Sequence, residues 1–420
     1  MFKNSPFRGL DRRIWFLSLS RFIRAMGRVS SFLFLPLIFV EVYGTSFLDT
    51  GIFLGFAVLI MAFVQYFAGR WTDRIGRRFF FVLVPIPVVL FYFVIYAIIS
   101  LKLSEIALVI SWYLVIIFNS IQYPAIQASV ADLTSSATRL TGFTSLRLMA
   151  NLGAAVGPVI GGFLSTYGFQ YIFMLAGFAT VIEIFVLYVN VQETYIIPKK
   201  TKERKPVEKN IIKNAFRNRV FMAFTLIGVA MGFVLRQRGS TLVLYIFDLK
   251  NLPVIEVGYI YAINGLLVVL LQIPILTLMN RSRTSIFWRG VGGLVYAAGF
   301  VMLSFLSGFA IFLFVMAVMT VGENFFSPTT QTIITNIAGY NSRGTYIGIY
   351  NLFSSSGSFL GSVIGLWLLY VTRSVSADFW IYIATLALIC SVFYIVLSPY
   401  YARNSEEKKA VKSSTTDLSG

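Results

Sequence analysis

YPAIQASVADLTSSATRL (residues 123–140) and SPTTQTIITNIAGYNSRG (residues 327–344) are two copies of one pattern, offset by 204 residues. The matched positions are Pro124 with Pro328, Gln127 with Gln331 and Arg139 with Arg343. At the same offset, three later glycines, Gly153, Gly157 and Gly161, match Gly357, Gly361 and Gly365. An ordered series of matches at one offset indicates an internal repeat. We therefore expect two similar halves.

Composition places both halves in a membrane. Hydrophobic residues make up 57 % of the 420 residues and charged residues only 12 %, whereas a soluble domain has about 25 % charged residues. The net charge of +18 does not indicate nucleic acid, because the positive charge lies in short segments between apolar runs. Without histidine, and with Cys390 as the single cysteine, the chain excludes a Cys/His metal cluster and an intrachain disulfide. We expect no cofactor, metal or nucleic-acid partner.

Twelve segments are long and apolar enough to cross a bilayer, which takes about 20 residues. We predict helices 1 to 12 at Trp15–Val42, Thr50–Ala68, Phe79–Leu101, Glu105–Ala131, Thr141–Tyr167, Tyr171–Asn190, Val220–Phe247, Ile255–Met279, Ile286–Ser307, Phe309–Asn336, Thr345–Val371 and Ala377–Tyr401. The predicted fold is an all-α membrane protein with two pseudo-symmetric six-helix bundles. Its parts are an N-terminus (1–14), the first bundle (15–190), a basic linker (191–219), the second bundle (220–402) and a disordered tail (403–420).

The distribution of positive charge orients the helices. Of the 35 lysine and arginine residues, only Lys102, Lys250 and Arg373 lie in loops on the side opposite to the N-terminus; Arg289 is counted with its loop on the N-terminal side. Because cytoplasmic loops carry an excess of Lys and Arg, we predict that both termini and the linker are cytosolic. We call this face of the protein the basic side. Two parallel six-helix repeats predict a binding site between the halves near mid-bilayer, with alternating access.

A loop after helix 2 carries a specific motif, GRWTDRIGRR at residues 69–78. Its pattern is a glycine, an aspartate four residues later, and then basic–x–Gly–basic–basic, and it resembles the signature loop of the major facilitator superfamily. The resemblance implies the major facilitator fold and a gate on the cytosolic side, in which Asp73 lies at the start of helix 11, around Gly344 and Thr345. The predicted gate residues are Gly69, Asp73, Arg74, Gly76, Arg77, Arg78, Asp132 and Arg139. A loop that only fixes topology would need the arginines, but not Asp73 and the glycines.

Helix 5 contains a second motif, with Gly153, Gly157, Pro158, Gly161 and Gly162. Glycines at i, i+4 and i+8 form a smooth stripe against which another helix packs closely. The pattern resembles a motif of drug/proton antiporters in this superfamily, although helix packing alone would also explain it.

Six arginines lie inside predicted helices, where each costs about 2.5–3.5 kcal/mol at mid-span. Arg21, Arg24 and Arg28 share one face of helix 1 at i, i+3 and i+7. Arg147 lies in helix 5. Arg236 and Arg238 flank Gln237 in helix 7, so either one of them faces the cavity or the helix unwinds at Gly239.

Two acids are also placed deep inside predicted helices. Glu183 of helix 6 is at a similar depth to Arg147, so it forms either a buried ion pair or a proton site. Glu323 of helix 10, which matches Asn119 under the 204-residue offset, is our preferred coupling residue. The predicted substrate or proton-coupling residues are Arg24, Arg28, Asn119, Arg147, Glu183, Arg236, Gln237, Arg238 and Glu323.

These observations predict a secondary active transporter in the cell membrane, monomeric and linked to protons, that exports small solutes of the multidrug type. Six deep arginines against two deep acids favour anions instead, so an importer or exchanger of organic anions is the alternative. An enzyme is disfavoured because we find no nucleophile–base pair and no clustered acids or histidines. We assign no catalytic residue.

Overall fold

The computed structural model of this chain describes residues 10–135, 138–194, 210–281, 284–338 and 342–417. Within these residues, twelve helices are long and apolar enough to cross a membrane, as predicted. Helices 1 to 12 span Arg12–Val42, Phe47–Gln65, Arg78–Ser100, Glu105–Asp132, Thr141–Ser165, Gln170–Asn190, Arg219–Leu249, Val254–Met279, Ser285–Phe305, Phe309–Ile337, Arg343–Val371 and Arg373–Arg403. The chain is an all-α, multi-pass membrane protein.

Polar side chains cap several helices at their first turn, where backbone N–H groups have no partner inside the helix. Asp11 accepts the backbone N–H of Arg13 before helix 1, and Ser46 accepts that of Asp49 in helix 2. Asp11 also accepts a 2.6 Å hydrogen bond from the guanidinium of Arg13. This side-chain hydrogen bond lowers the pKa of Asp11.

Several membrane helices are not regular throughout. Helix 1 ends in a π-helical turn, Ile38–Val42, and helix 3 breaks before Pro85. Helix 10 is divided at Ser327 and Pro328 into Phe309–Phe326 and Thr329–Ile337. Since proline has no N–H and clashes with the preceding turn, Pro85 and Pro328 account for the breaks beside them.

The boundaries differ from the predicted ones at the linker and at the C-terminus. A short helix, Asn210–Arg217, forms inside the predicted linker, whose residues 195–209 lie outside the described part. The last helix continues to Asp417, so the tail predicted as disordered is helical over most of its length. Its Glu, Lys and Ala residues (406–410) are good helix formers, which explains how the helix continues past the membrane.

The chain divides into two compact units. Unit 1 consists of Met1–Lys200, Arg238–Val269 and Ser362–Trp367, and unit 2 of Thr201–Gln237, Leu270–Gly361 and Leu368–Gly420. In unit 1, helix 1 packs along helix 5, and the glycine stripe makes this possible. A Cβ on Gly153 would lie 2.9 Å from Cβ of Ala25, and one on Gly161 would lie 2.9 Å from the ring of Phe34.

The repeated glycines of helix 11 have the same role in unit 2, where they face helix 7. A Cβ on Gly357 would lie 2.8 Å from the carbonyl carbon of Val229, and one on Gly361 would lie 2.8 Å from the carbonyl oxygen of Phe233. Contacts below 3 Å leave no room for a side chain, so the two helices approach with backbone against backbone. The internal repeat is therefore a repeat of packing as well as of sequence.

Candidate substrate and proton site

A buried ion pair lies inside the first six helices. Glu183 of helix 6 is completely buried and Arg24 of helix 1 is 6 % exposed. Nε of Arg24 lies 2.9 Å from Oε1 and 2.8 Å from Oε2 of Glu183. Glu183 thus forms a buried ion pair, but with Arg24 and not with Arg147, which the sequence analysis considered as its partner. Each charge is placed at a membrane depth where it would be strongly unfavourable alone.

Two amide side chains of helix 4 complete the cluster. Asn119 accepts a 2.9 Å hydrogen bond from Nη1 of Arg24, and Gln122 donates one of 3.2 Å to Oε1 of Glu183. Two atoms remain without a hydrogen-bond partner although they are buried, Nη2 of Arg24 and Oε1 of Gln122. One is a donor and the other an acceptor, so this network is closely held but incompletely satisfied.

The other arginines of helix 1 lie on either side of this cluster. Arg21 places its guanidinium 5.2 Å from the ring centroid of Tyr123, within the range of a cation–π interaction. Arg28 lies one turn beyond Arg24 and is exposed. The three arginines thus differ in their surroundings: Arg21 lies against an aromatic ring, Arg24 is paired with a carboxylate and Arg28 is exposed.

Two further predicted residues lie in helices 5 and 10. Arg147 is half-buried in helix 5, and Glu323 is half-buried in helix 10, four residues before the break. The carbonyl of Glu323 accepts the N–H of Ser327. The structure places Glu323 beside a broken helix turn and Glu183 in a continuous helix.

Helix 7 is interrupted at the predicted glycine. Its first segment ends at Gly239, and the helix restarts at Thr241. Arg236 and Arg238 are half-buried, whereas Gln237 is completely buried and donates hydrogen bonds to the carbonyls of Phe233 and Gly361, at 2.9 and 3.0 Å. Gln237 therefore joins helices 7 and 11, which leaves the two arginines as the helix 7 candidates for contact with a solute.

The motif predicted as a loop is mostly helical, because helix 2 continues to Ile75 and only Gly76 and Arg77 connect it to helix 3. This connection is anchored within unit 1. Nε of Arg77 lies 3.3 Å from Asp132 at the end of helix 4, and Arg78 donates to the carbonyl of Tyr188 at 3.1 Å. Arg139 donates to the carbonyls of Ala131, near the end of helix 4, and of Thr134, just after it. The side chains of Asp73 and Arg74, and the surroundings of Gly69, lie outside the described residues, so the predicted contact of Asp73 with helix 11 stays a prediction.

Glu193, which the sequence analysis did not select, binds this loop. Its carboxylate accepts the backbone N–H groups of Arg77 and Arg78, at 3.0–3.1 Å. Gly76 has φ of +103° and its absent Cβ would lie 2.8 Å from Oε2 of Glu193. Only glycine meets both conditions without strain. The motif glycine therefore makes room for an acid that caps helix 3.

Helix 5 uses a second face for the other helices of unit 1. A Cβ on Gly162 would lie 3.0 Å from Ile255, and one on Gly265 would lie 2.6 Å from Ala155. Gly258 faces the carbonyl of Pro158 in the same way. The motif thus joins helix 5 to helix 1 by one face and to helix 8 by another, which agrees with the packing interpretation of these glycines.

The position of Arg289 differs from the sequence analysis, which counted this residue with a loop. It is 1 % exposed in helix 9, and its guanidinium lies 3.5 Å from the ring centroid of Phe326 and 5.1–5.2 Å from those of Phe224 and Tyr394. It donates to the Phe326 carbonyl and to the hydroxyls of Thr330 and Tyr350. Four residues after the helix begins, an arginine can already be surrounded by neighbouring helices, which charge counting does not detect.

The sequence matches the Major Facilitator Superfamily over residues 17–362 and 307–419. The chain is a member of the major facilitator superfamily. It is therefore a transporter and not an enzyme. Solved structures of the same fold include a POT family transporter in complex with a thioalcohol-conjugated peptide. Its TM-score is 0.78 at 15 % identity, over 94 % of this chain and 98 % of that one.

Other members of the superfamily align with most of this sequence. Multidrug resistance protein 2 of Bacillus subtilis is 25 % identical over 339 residues, which are 75 % of this chain and 80 % of that protein. Quinolone resistance protein NorA of Staphylococcus aureus is 21 % identical, over 84 % of this chain and 89 % of that protein. An MFS-type transporter of Methanocaldococcus jannaschii, MJ1560, is 24 % identical, over 84 % of this chain and 90 % of that protein.

Proposed function

We propose that this superfamily member is a proton-coupled exporter of small organic solutes that works by alternating access. The observation that carries the proposal is the buried pair of Arg24 and Glu183. A carboxylate is the group that can bind and release a proton reversibly in a chain without histidine. The relatives named for multidrug and quinolone resistance support export over import.

Protonation of Glu183 is the step that would link the proton to movement. When the carboxylate becomes neutral, Arg24 keeps its charge but loses the charge of its partner, and a buried cation without a counterion is strongly unfavourable. The favourable response is movement of helix 1 relative to helices 4 and 6, until Arg24 reaches water or another acceptor. Because helix 1 is packed backbone to backbone on helix 5, such a shift of helix 1 would move helix 5 with it.

Glu323 is a second coupling candidate within this proposal. It lies next to the broken turn of helix 10, where a change of charge would act on a segment that is already irregular. Arg147, Arg236 and Arg238, all half-buried, remain proposed contacts for the solute.

The membrane and the orientation also belong to the proposal. We place the transporter in the cell membrane as a monomer, with the basic side in the cytosol, because the excess of Lys and Arg in that set of loops orients the chain. Cysteine accessibility at positions introduced near Lys102 and near Arg403 would test the orientation, since only the first is expected to react from outside.

The decisive experiment is flux in proteoliposomes with an imposed pH gradient. Wild-type protein, Glu183→Gln and Glu323→Gln would be compared, together with Glu256→Gln as a control at the opposite side of the membrane. We expect solute flux that moves protons in the opposite direction, and loss of this coupling in Glu183→Gln. Gradient-driven transport that continues unchanged in both Glu183→Gln and Glu323→Gln would contradict proton coupling through these acids.

A further inference from the structure

Arg28 is an exposed cation in the middle of a membrane helix. It is the seventeenth of the 31 residues of helix 1, which spans Arg12–Val42, and it is exposed. An arginine facing lipid at this depth is unfavourable, and intramembrane charges face a water-filled cavity or a partner instead. The exposure of Arg28 therefore favours contact with water or a solute over contact with lipid.

No described residue forms a hydrogen bond or an ion pair with the guanidinium of Arg28. One turn away, the charge of Arg24 is already balanced by Glu183. Arg21 lies against the ring of Tyr123, which carries no charge to balance it. The helix 1 face thus combines three guanidinium groups with one carboxylate, and its excess charge is positive.

The surroundings of Arg28 add aromatic surface to this charge. Phe32 follows it by four residues, so its side chain lies on the same face of the helix, one turn farther from the N-terminus. The ring of Phe32 packs against Trp112 of helix 4, with centroids 6.0 Å apart. Tyr92 and Tyr123 are close enough to Arg28 to interact with it electrostatically. The positive charge of Arg28 and the apolar ring of Phe32 are therefore adjacent on helix 1.

We propose that the transported solutes are amphiphilic organic anions, whose sulfonate, carboxylate or phosphate group binds Arg28 while the apolar part packs on Phe32. This inference rests on the proposed function for its site and adds the class of substrate. The planar guanidinium matches the geometry of such oxyanions with two parallel hydrogen bonds. A cationic solute would meet an uncompensated positive charge in a medium that screens it poorly.

The test is equilibrium binding of three naphthalene probes of equal shape to the purified protein, without a pH gradient. The probes are naphthalene-2-sulfonate, the neutral naphthalene-2-sulfonamide and a trimethylammonium naphthalene. We expect wild-type protein to bind the sulfonate most tightly and the cation most weakly. In Arg28→Gln, the Kd of the sulfonate should rise about 10- to 100-fold, as for loss of a charge-assisted bidentate contact, with the sulfonamide unchanged.

Two further variants separate charge from fold. Arg28→Lys keeps the charge without the planar fork, so its Kd for the sulfonate should lie between those of wild type and Arg28→Gln. Arg373→Gln, at the start of helix 12, is the matched control and should leave all three constants unchanged. Because Arg28 is exposed, its substitution should leave the melting temperature unchanged.

Weak binding of the sulfonate to wild type, or equal shifts for all three probes in Arg28→Gln, would overturn the inference. This outcome is distinguishable from failure of the proposed function. The binding assay needs no proton gradient, so an anion site at Arg28 can be found in a protein without coupling, and coupled flux can be found in a protein that prefers cations.

Discussion

Arg24 in the first half and Arg289 in the second are both buried among membrane helices, and the two are accommodated in different ways. Arg24 in the first half is balanced by the carboxylate of Glu183, whereas Arg289 in the second half is surrounded by the rings of Phe224, Phe326 and Tyr394. The acceptors recorded for Arg289 are all neutral, a carbonyl and two hydroxyls. A carboxylate can be neutralised by binding a proton, but aromatic rings and aliphatic hydroxyls cannot. We therefore expect the contacts of Arg24 to respond to protonation and the contacts of Arg289 to stay the same at any physiological pH.

The largest expected effect follows removal of Glu183. Glu183→Leu should lower the free energy of unfolding by about 3–5 kcal/mol, because it leaves Arg24 as a buried cation without a counterion. Unfolding in lipid bicelles would measure the loss. The double variant Arg24→Met/Glu183→Leu is the control and should recover most of the stability, while transport stays uncoupled. A double variant no more stable than Glu183→Leu would show that the pair does not account for the loss.

Removal of Arg289 should have a somewhat smaller effect. Arg289→Met should cost about 2–4 kcal/mol, from lost cation–π contacts and from hydroxyls left without their donor. The cost should be the same at pH 5.5 and pH 7.5, since no group around Arg289 titrates there. Arg289→Lys, which keeps the charge but not the fork, should lose less. A clear pH dependence of the stability lost in Arg289→Met would contradict the expectation that the contacts of Arg289 do not respond to protonation.

The glycine contacts are where the two halves should agree. Gly153→Ala and Gly357→Ala should each cost about 1–3 kcal/mol, because the added methyl group meets backbone of the facing helix and forces overpacking. Gly348→Ala is the matched control in helix 11, where a Cβ meets nothing within 4 Å, and it should be neutral. Thermal unfolding of all three would measure this. Unequal losses for Gly153 and Gly357 would mean that the repeat is not preserved in the energetics.

The smallest effect is expected at Glu193, for which the second half has no counterpart; the matching position at the 204-residue offset is Leu397. Glu193→Ala should cost about 0.5–1 kcal/mol, the lower part of the range for a helix cap, because the carboxylate is exposed. Hydrogen exchange at the amides of Arg77 and Arg78 would show the change directly. Gln192→Ala, at the exposed neighbouring position, should leave this exchange unaltered.

Much of the candidate site could be predicted from the sequence, because the position of a residue along a helix follows from its number alone. The depth of Arg24, Arg28 and Glu183 follows from counting residues along a helix of known rise. The shared face of the helix 1 arginines follows from its 3.6-residue turn. The break at Gly239 was one of two alternatives left open by the spacing of Arg236 and Arg238.

The identity of contacting neighbours was not accessible in the same way. Arg147 was the only partner considered for Glu183 from the sequence, because the two lie at similar depths. Helical rise does not tell which helix turns its side chain toward helix 6. Glu193 carried no recognisable pattern, because its partners are backbone N–H groups, which every residue but proline has. Arg289 was hidden by its position four residues inside a helix, where burial depends on the helices around it.

By itself the sequence determined twelve apolar helices, their duplication, their predicted orientation and the superfamily, because length, hydropathy and charge act along the chain and need no knowledge of packing. Only the tertiary structure decided that Arg24 pairs with Glu183, that aromatic rings surround Arg289 and that Arg28 is left exposed. These outcomes depend on the rotation of each helix and on which helices become neighbours, and both are set by side-chain packing summed over the whole bundle.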